Sequence, residues 1–168
     1  MSTLQILINH YQEDDAIVER FLNSLEMQKK IDFTVLLCTD GGRKLDSNFL
    51  SKFNLNLQYS YLEHSGVCHT RNIMMDNSTA DYVMFADIDD CFHACDGLFS
   101  LMEAAEKTGA DIVGSPYLVE RIDPNKKEYY YSTNYQDTIH TTKISGLTMA
   151  MVLFSKILMV TSLKVSQN

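Results

Sequence analysis

A chain of 168 residues with 45% apolar content is long enough for one packed core, which sets aside disorder and suggests a single domain. Its 22 acidic against 14 basic residues leave a formal charge of −8, which argues against a nucleic-acid partner held mainly through phosphates. An anionic ligand would need a metal or a local cation. The N-terminus carries no secretory pattern, so the four cysteines, Cys38, Cys68, Cys91 and Cys95, read as reduced thiols of a cytoplasmic protein.

From the N-terminus, "LQILIN" (4–9) reads as a short strand. The spacing of Ile17, Phe21, Leu22 and Leu25 then predicts a helix over 14–28, with Asp14 and Asp15 suited to its positive end. "FTVLLCT" (33–39) is a second strand, followed by a short helical segment near 46–53 and a third strand, "LQYSYLE" (57–63). "GVCHTRNIMMDN" (66–77) is helical, "YVMFAD" (82–87) a fourth strand, 95–109 a helix and "ADIVGSPYLV" (110–119) a fifth strand. Such alternation implies a mostly parallel sheet covered on both faces.

After Val119 the pattern changes to a hairpin, with "DPNKK" (123–127) as the turn between "YLVERI" and "EYYYST". The last acid is Asp137, and the 31 residues beyond it hold only lysines among their charged positions. Ser155 and Lys156 interrupt the apolar stretch there, whereas a membrane span needs about 20 mainly apolar residues. No transmembrane segment is expected, and the tail reads as a loose amphipathic helix.

The fourth strand ends in three acids, Asp87, Asp89 and Asp90, within four positions. Buried carboxylates without partners cost several kcal/mol, so the cluster must lie at an edge or hold a cation. Asp87 and Asp89 are two apart and project the same way if the extended geometry persists, which would let a divalent cation sit between them and a phosphate. A solvated turn, or a helix cap by Asp90, accounts for so short a motif equally well. What favours a site is company: "INHYQED", "CTDGG" and "HSGVCHTRN" fall at the ends of the first three strands, on the rim where open α/β sheets bind ligands.

On that rim Tyr11 could stack on a base and Asp40 could accept a hydrogen bond from an imide N–H, or else they are a rim tyrosine and a turn aspartate before Gly41-Gly42. Arg71, five residues after Gly66, could steady a base or phosphate, or else pair as a surface arginine with Asp76 or Asp81. His69 and His93 read as surface residues. Cys91 and Cys95 lack a second pair of metal ligands, and small apolar fillers is the role expected of them.

Four blocks, Asn9-His10-Tyr11-Gln12, Thr39-Asp40-Gly41-Gly42, Gly66 to Asn72 and Asp87-Ile88-Asp89-Asp90, stand in order along the chain. Over about residues 3 to 117 the chain resembles a family 2 nucleotide-sugar glycosyltransferase of the GT-A fold, whose blocks are P-x-Y/F-N, D-D-G-S, G-x-x-x-A-R-N and D-x-D-D. It departs from them at Asn9 for proline, Gln12 for asparagine, Thr39 for the first acid and Thr70 for alanine. The resemblance implies an α/β, Rossmann-like, mostly parallel sheet flanked by helices, with a C-terminal hairpin. It implies a nucleotide site built from Asn9, Tyr11, Asp40, Arg71 and Asp87, and a Mn²⁺ or Mg²⁺ ion on Asp87 and Asp89 with Asp90 behind.

The implied reaction is inverting displacement from a nucleotide-diphosphate sugar, a UDP-sugar favoured, onto a saccharide, lipid-linked or other hydroxyl acceptor. In the family the catalytic base lies beyond the hairpin, where this sequence has no acid after Asp137. The base is left unassigned, with Asp111, Glu120 and Asp137 the acids to consider. Residues 1–141 are expected to form the donor-binding domain, with 142–168 an atypical, truncated or frame-shifted tail. A nucleotide-sugar-binding module with weak catalysis is the non-enzymatic alternative. A magnesium-dependent, haloacid-dehalogenase-like phosphatase is a further one, disfavoured because the D-x-D comes on the fourth strand and is followed by Cys91.

Overall fold

Alternate residues of the first strand, β1 (Leu4–His10), serve two different cores: Leu4, Ile6 and Ile8 join one buried cluster and Leu7 the other. Side chains alternate along a strand, so a strand buried on both faces needs a cover on each. The computed structural model describes residues 2–114, 118–123, 126–131 and 152–155. In chain order they form β1, α1 (Asp15–Glu26), β2 (Thr34–Asp40), α2 (Ser47–Leu50), β3 (Leu57–Leu62), α3 (Val67–Asn77), β4 (Tyr82–Asp87) and α4 (Gly97–Thr108). These are followed by β5 (Ile112–Gly114), β6 (Leu118–Asp123), β7 (Lys126–Tyr131) and β8 (Val152–Ser155).

Helix α1 starts where Asp14 caps it, the carboxylate accepting the Ile17 amide at 3.0 Å, and it buries Val18, Phe21, Leu22 and Leu25. That face and the Leu98, Leu101, Met102 and Ala105 face of α4 pack on one side of the sheet. Met74 of α3 packs on the other, with Leu7, Leu36, Cys38, Val83 and Phe85.

The main sheet runs β3-β2-β1-β4-β8-β5, with β1 to β4 mutually parallel and β8 antiparallel to both β4 and β5. The chain leaves β1 toward β2 and β3 on one side and returns to β4 on the other. The carboxyl ends of β1 and β4 therefore flank the switch point at which open sheets bind ligands, and Asn9 stands in register with Asp87 there.

Two expected elements take a different form. The strand expected over 110–119 is split: β5 holds only three residues, and β6 pairs with β7 in a separate two-stranded ribbon. That ribbon is the expected hairpin, paired up to Asp123↔Lys126; Pro124 and Asn125 at its tip lie outside the described residues. Residues 152–155, expected to be helical, form β8, which fills the slot between β4 and β5 and gives both facing edges a backbone partner. A short apolar run such as Val152-Leu153-Phe154 fits a strand or a helix segment equally well by periodicity. The rest of the tail and Asp137 lie outside the described residues.

Candidate functional site

Three loops at the carboxyl ends of β1, β2 and β3 meet around a pair of glycines. Gly41 and Gly42 both have positive φ, 74° and 66°. A Cβ on Gly41 would lie 2.6 Å from the Cβ of His64, and one on Gly42 would lie 2.6 Å from the Tyr11 carbonyl oxygen. The loop after β2 is thus wedged between the other two, where only glycine fits. Above it the Tyr11 and His64 rings stack, centroids 4.7 Å apart at 29°.

Asp40 is buried, only 2% exposed, and its two oxygens are directed at the loop ahead of α3. One accepts the Ser65 amide at 2.7 Å and the other the Gly66 amide at 3.0 Å. Burial alone would raise its pKa; the Ser65 bond, the His64 ring, Thr70 and the Gly66 bond outweigh that and hold the carboxyl below its ordinary value. Asp40 anchors a loop, a task the sequence did not disclose, each of its oxygens accepting one backbone amide.

His64 was not singled out from the sequence, yet it stacks on Tyr11 and its Nδ1 donates to the Asp40 carbonyl at 3.0 Å. Only the spacing from Gly66, which brings the loop back over β2, could have hinted at it.

Arg71, on the first turns of α3, pairs with Asp87 at 2.5 Å and lies over the Phe85 ring, 5.3 Å from its centroid. The surface pairing with Asp76 or Asp81 is not the one formed. Asn9, beside Asp87 in register, has a buried side-chain oxygen without a protein partner.

The acidic triplet does not continue the strand. β4 ends at Asp87, the Asp90 amide turns back to the Asp87 carbonyl at 3.1 Å, and Ile88 is buried. The premise that Asp87 and Asp89 project together from an extended strand therefore fails. Arg20 of α1 donates to the Asp89 carbonyl. Partial desolvation and the charges of Asp89 and Asp87 push Asp90 above the usual carboxylate range, with Arg20 pulling the other way.

Among the described residues no three His, Cys, Asp or Glu side chains gather into a metal cage. The donor set still fits Mn²⁺ or Mg²⁺ of the kind held by one or two carboxylates plus substrate phosphates. Cys91 and Cys95 are exposed rather than apolar fillers, and His69 and His93 are exposed as expected. Asp111 precedes β5 and lies level with the start of β4, at the opposite end of the sheet from Asp87.

The family model described as "Glycosyl transferase family 2" matches residues 5–162. The chain belongs to glycosyl transferase family 2. That membership removes the phosphatase alternative, and glycosyl transfer is the activity of the family. Over 95 residues the family 2 chain is 30% identical to a teichoic acid poly(glycerol phosphate) polymerase of Staphylococcus epidermidis, covering 54% of this chain and 13% of that protein.

Among solved structures, S. aureus TarS 1-349 superposes with a TM-score of 0.64 at 18% identity, over 94% of this chain and 48% of that one. TarS 1-349 in complex with UDP-GlcNAc gives 0.58 at 24%, over 66% and 33%. The mannosyltransferase PcManGT from Pyrobaculum calidifontis, in complex with GDP-Man and Mn²⁺, gives 0.60 at 16%, over 71% and 36%. These likenesses establish the GT-A-like fold. The chain spans less than half the length of each of these proteins. Among the described residues no helix is long and apolar enough to cross a membrane.

Proposed function

We propose that this chain binds a nucleotide-diphosphate sugar, a UDP-sugar favoured, with Mn²⁺ or Mg²⁺, and serves inverting transfer to a saccharide, lipid-linked or other hydroxyl acceptor. The observation that carries the reading is the gathering of the Tyr11–His64 stack, the Arg71–Asp87 pair and Asp89 at one switch point of a family 2 sheet. Tyr11 offers a face to the base, Asn9 and Asp87 suit the ribose, and Arg71 suits a phosphate. Asp89, with Asp87, suits the cation, which would supply Lewis-acid stabilisation of the diphosphate leaving group.

Residues 1–141 carry this donor site, and 142–168 contribute the β8 strand to the same sheet. With Asp111 at the wrong end of the sheet, Glu120 and Asp137 remain as acids to test for the base. A cytoplasmic setting belongs to the same proposal, on the four free thiols. The non-catalytic reading, a donor-binding module, differs only in turnover.

Calorimetric titration with UDP, GDP and CMP, each with and without Mn²⁺, tests the proposal. UDP is expected to bind best, to need the cation, and to lose it in Asp89→Ala. Equal affinity in chelator, or in the variant, would sink the metal assignment, and no binding of any nucleotide would sink the donor site. A single-turnover assay with the preferred donor then separates transferase from binding module.

A further inference from the structure

His10 is the one fully buried histidine of the described rim, and the donor chemistry proposed above gives it no task. Its Nε2 lies 3.1 Å from the Glu13 carbonyl oxygen and 3.9 Å from the Glu13 carboxylate, the charged group that faces the ring, and its Nδ1 lies 2.9 Å from the Thr39 hydroxyl. Thr39 in turn meets the Tyr59 hydroxyl at 3.0 Å, and that oxygen accepts the Leu45 amide at 3.0 Å.

The directions follow from what each group can do. A carbonyl only accepts, so Nε2 must carry a hydrogen. A neutral imidazole then leaves Nδ1 as an acceptor, and Thr39 must donate to it. Having spent its one hydrogen, Thr39 accepts from Tyr59, whose oxygen is free to take the Leu45 N–H. Every proton is used once. An imidazolium would reverse the Thr39 hydroxyl onto Tyr59 and turn the tyrosine hydrogen out of the chain.

We propose that His10, Thr39 and Tyr59 form one directed hydrogen-bond chain that fixes His10 as the neutral Nε2–H tautomer and positions the Tyr11 and Asp40 rim for the nucleotide. The link to the rim is direct. His10 precedes Tyr11, Thr39 precedes Asp40, and Glu13 accepts His10 through its carbonyl and the Tyr11 amide through its carboxylate at 2.8 Å. Thr39 stands where the resembling family has an acid. A carboxylate there could not donate to Nδ1 and would demand the cationic ring, so the hydroxyl and this tautomer go together. His10 and Thr39 are positioning residues.

The positioning part rests on the proposed function, and the tautomer part does not. Long-range ¹H–¹⁵N correlation spectra of the nucleotide-free protein at neutral pH should show His10 protonated on Nε2 alone. Thr39→Val is expected to weaken UDP binding in Mn²⁺ about fivefold or more, the effect of one lost buried hydrogen bond. Thr39→Ser, which keeps the hydroxyl, should restore it, a rescue that general loosening would not give. A wild-type His10 protonated on Nδ1, or on both nitrogens, overturns the chain even if Thr39→Val does not fold. Unchanged UDP affinity in folded Thr39→Val overturns the positioning. A wild-type protein that binds no nucleotide yet shows the Nε2–H ring would sink the proposed function and still support the chain.

Discussion

Replacing Asp40 with asparagine separates a loop anchor from a base-reading residue. The two carboxylate oxygens hold different amides, Ser65 at 2.7 Å and Gly66 at 3.0 Å, in a site only 2% exposed. Asparagine keeps one acceptor and turns an NH₂ toward the other amide. One charge-assisted bond is lost, worth about 1.5–3 kcal/mol, and a donor is left facing a donor, so Asp40→Asn should destabilise by about 2–4 kcal/mol near neutral pH. The sign of the pH dependence is fixed by the lowered pKa. A carboxyl depressed in the folded state contributes stability that is full above its unfolded value, about pH 4, and is lost as pH falls through the folded value. Urea unfolding of both proteins from pH 7 to pH 3 should therefore show a gap that is widest at neutral pH and narrows below about pH 4. A gap under about 0.5 kcal/mol at pH 7, within the range of ordinary surface changes, would refute the anchor. A full-stability variant that had lost UDP affinity would return Asp40 to the imide.

Tyr11→Ala should weaken UDP binding by about 1–3 kcal/mol, the worth of stacking one base, and calorimetry that finds no change removes Tyr11 from the site. Gly42→Ala forces a left-handed alanine whose Cβ would sit 2.6 Å from the Tyr11 carbonyl, and should cost at least about 2 kcal/mol in urea unfolding. Leu153→Pro removes an amide from a strand flanked by Met84 and Val113 and should cost about 3 kcal/mol or more, where a dispensable tail would show no loss.

The parallel sheet was legible because its signals are local. Near-continuous apolar runs mark β1 and β4 as strands buried on both faces, and Asp14 ahead of an apolar stripe marks the start of α1. What escaped depends on where separate segments meet. An aspartate before two glycines is a turn signal, but nothing in "CTDGG" says that the amides of Ser65 and Gly66 will find it. His64 became a stacking partner only because Gly41 lets its backbone come so near. Arg71 chose Asp87 over nearer acids in sequence because α3 packs across the face of the parallel strands, which lays its side chain over the Phe85 ring and onto the end of β4. The direction of Asp89 was misread because the chain turns at Ile88, where burial of an apolar side chain wins over continued extension.

The same rim explains how three clustered acids are tolerated. Arg71 from α3 covers Asp87, and Arg20 from α1 holds the Asp89 carbonyl beside Asp90. Two guanidinium groups thus stand beside the cluster, and Asp90 is still pushed upward, first by partial desolvation and then by the charges of Asp89 and Asp87, with Arg20 pulling the other way. Little is then gained by a bare cation, whose protein ligands would be few and already partly neutralised. A diphosphate reverses the balance. In the proposed function it would compete with Asp87 for Arg71, free that carboxylate, and bring the oxygen ligands that a small divalent ion prefers. In the proposed function, then, nucleotide and metal should bind together or hardly at all: Mn²⁺ titrated alone should bind far more weakly than Mn²⁺ titrated into protein with UDP. A tight Mn²⁺ site in the absence of nucleotide would mean that the acids, not the phosphates, make the cage, and that the two arginines do not neutralise them.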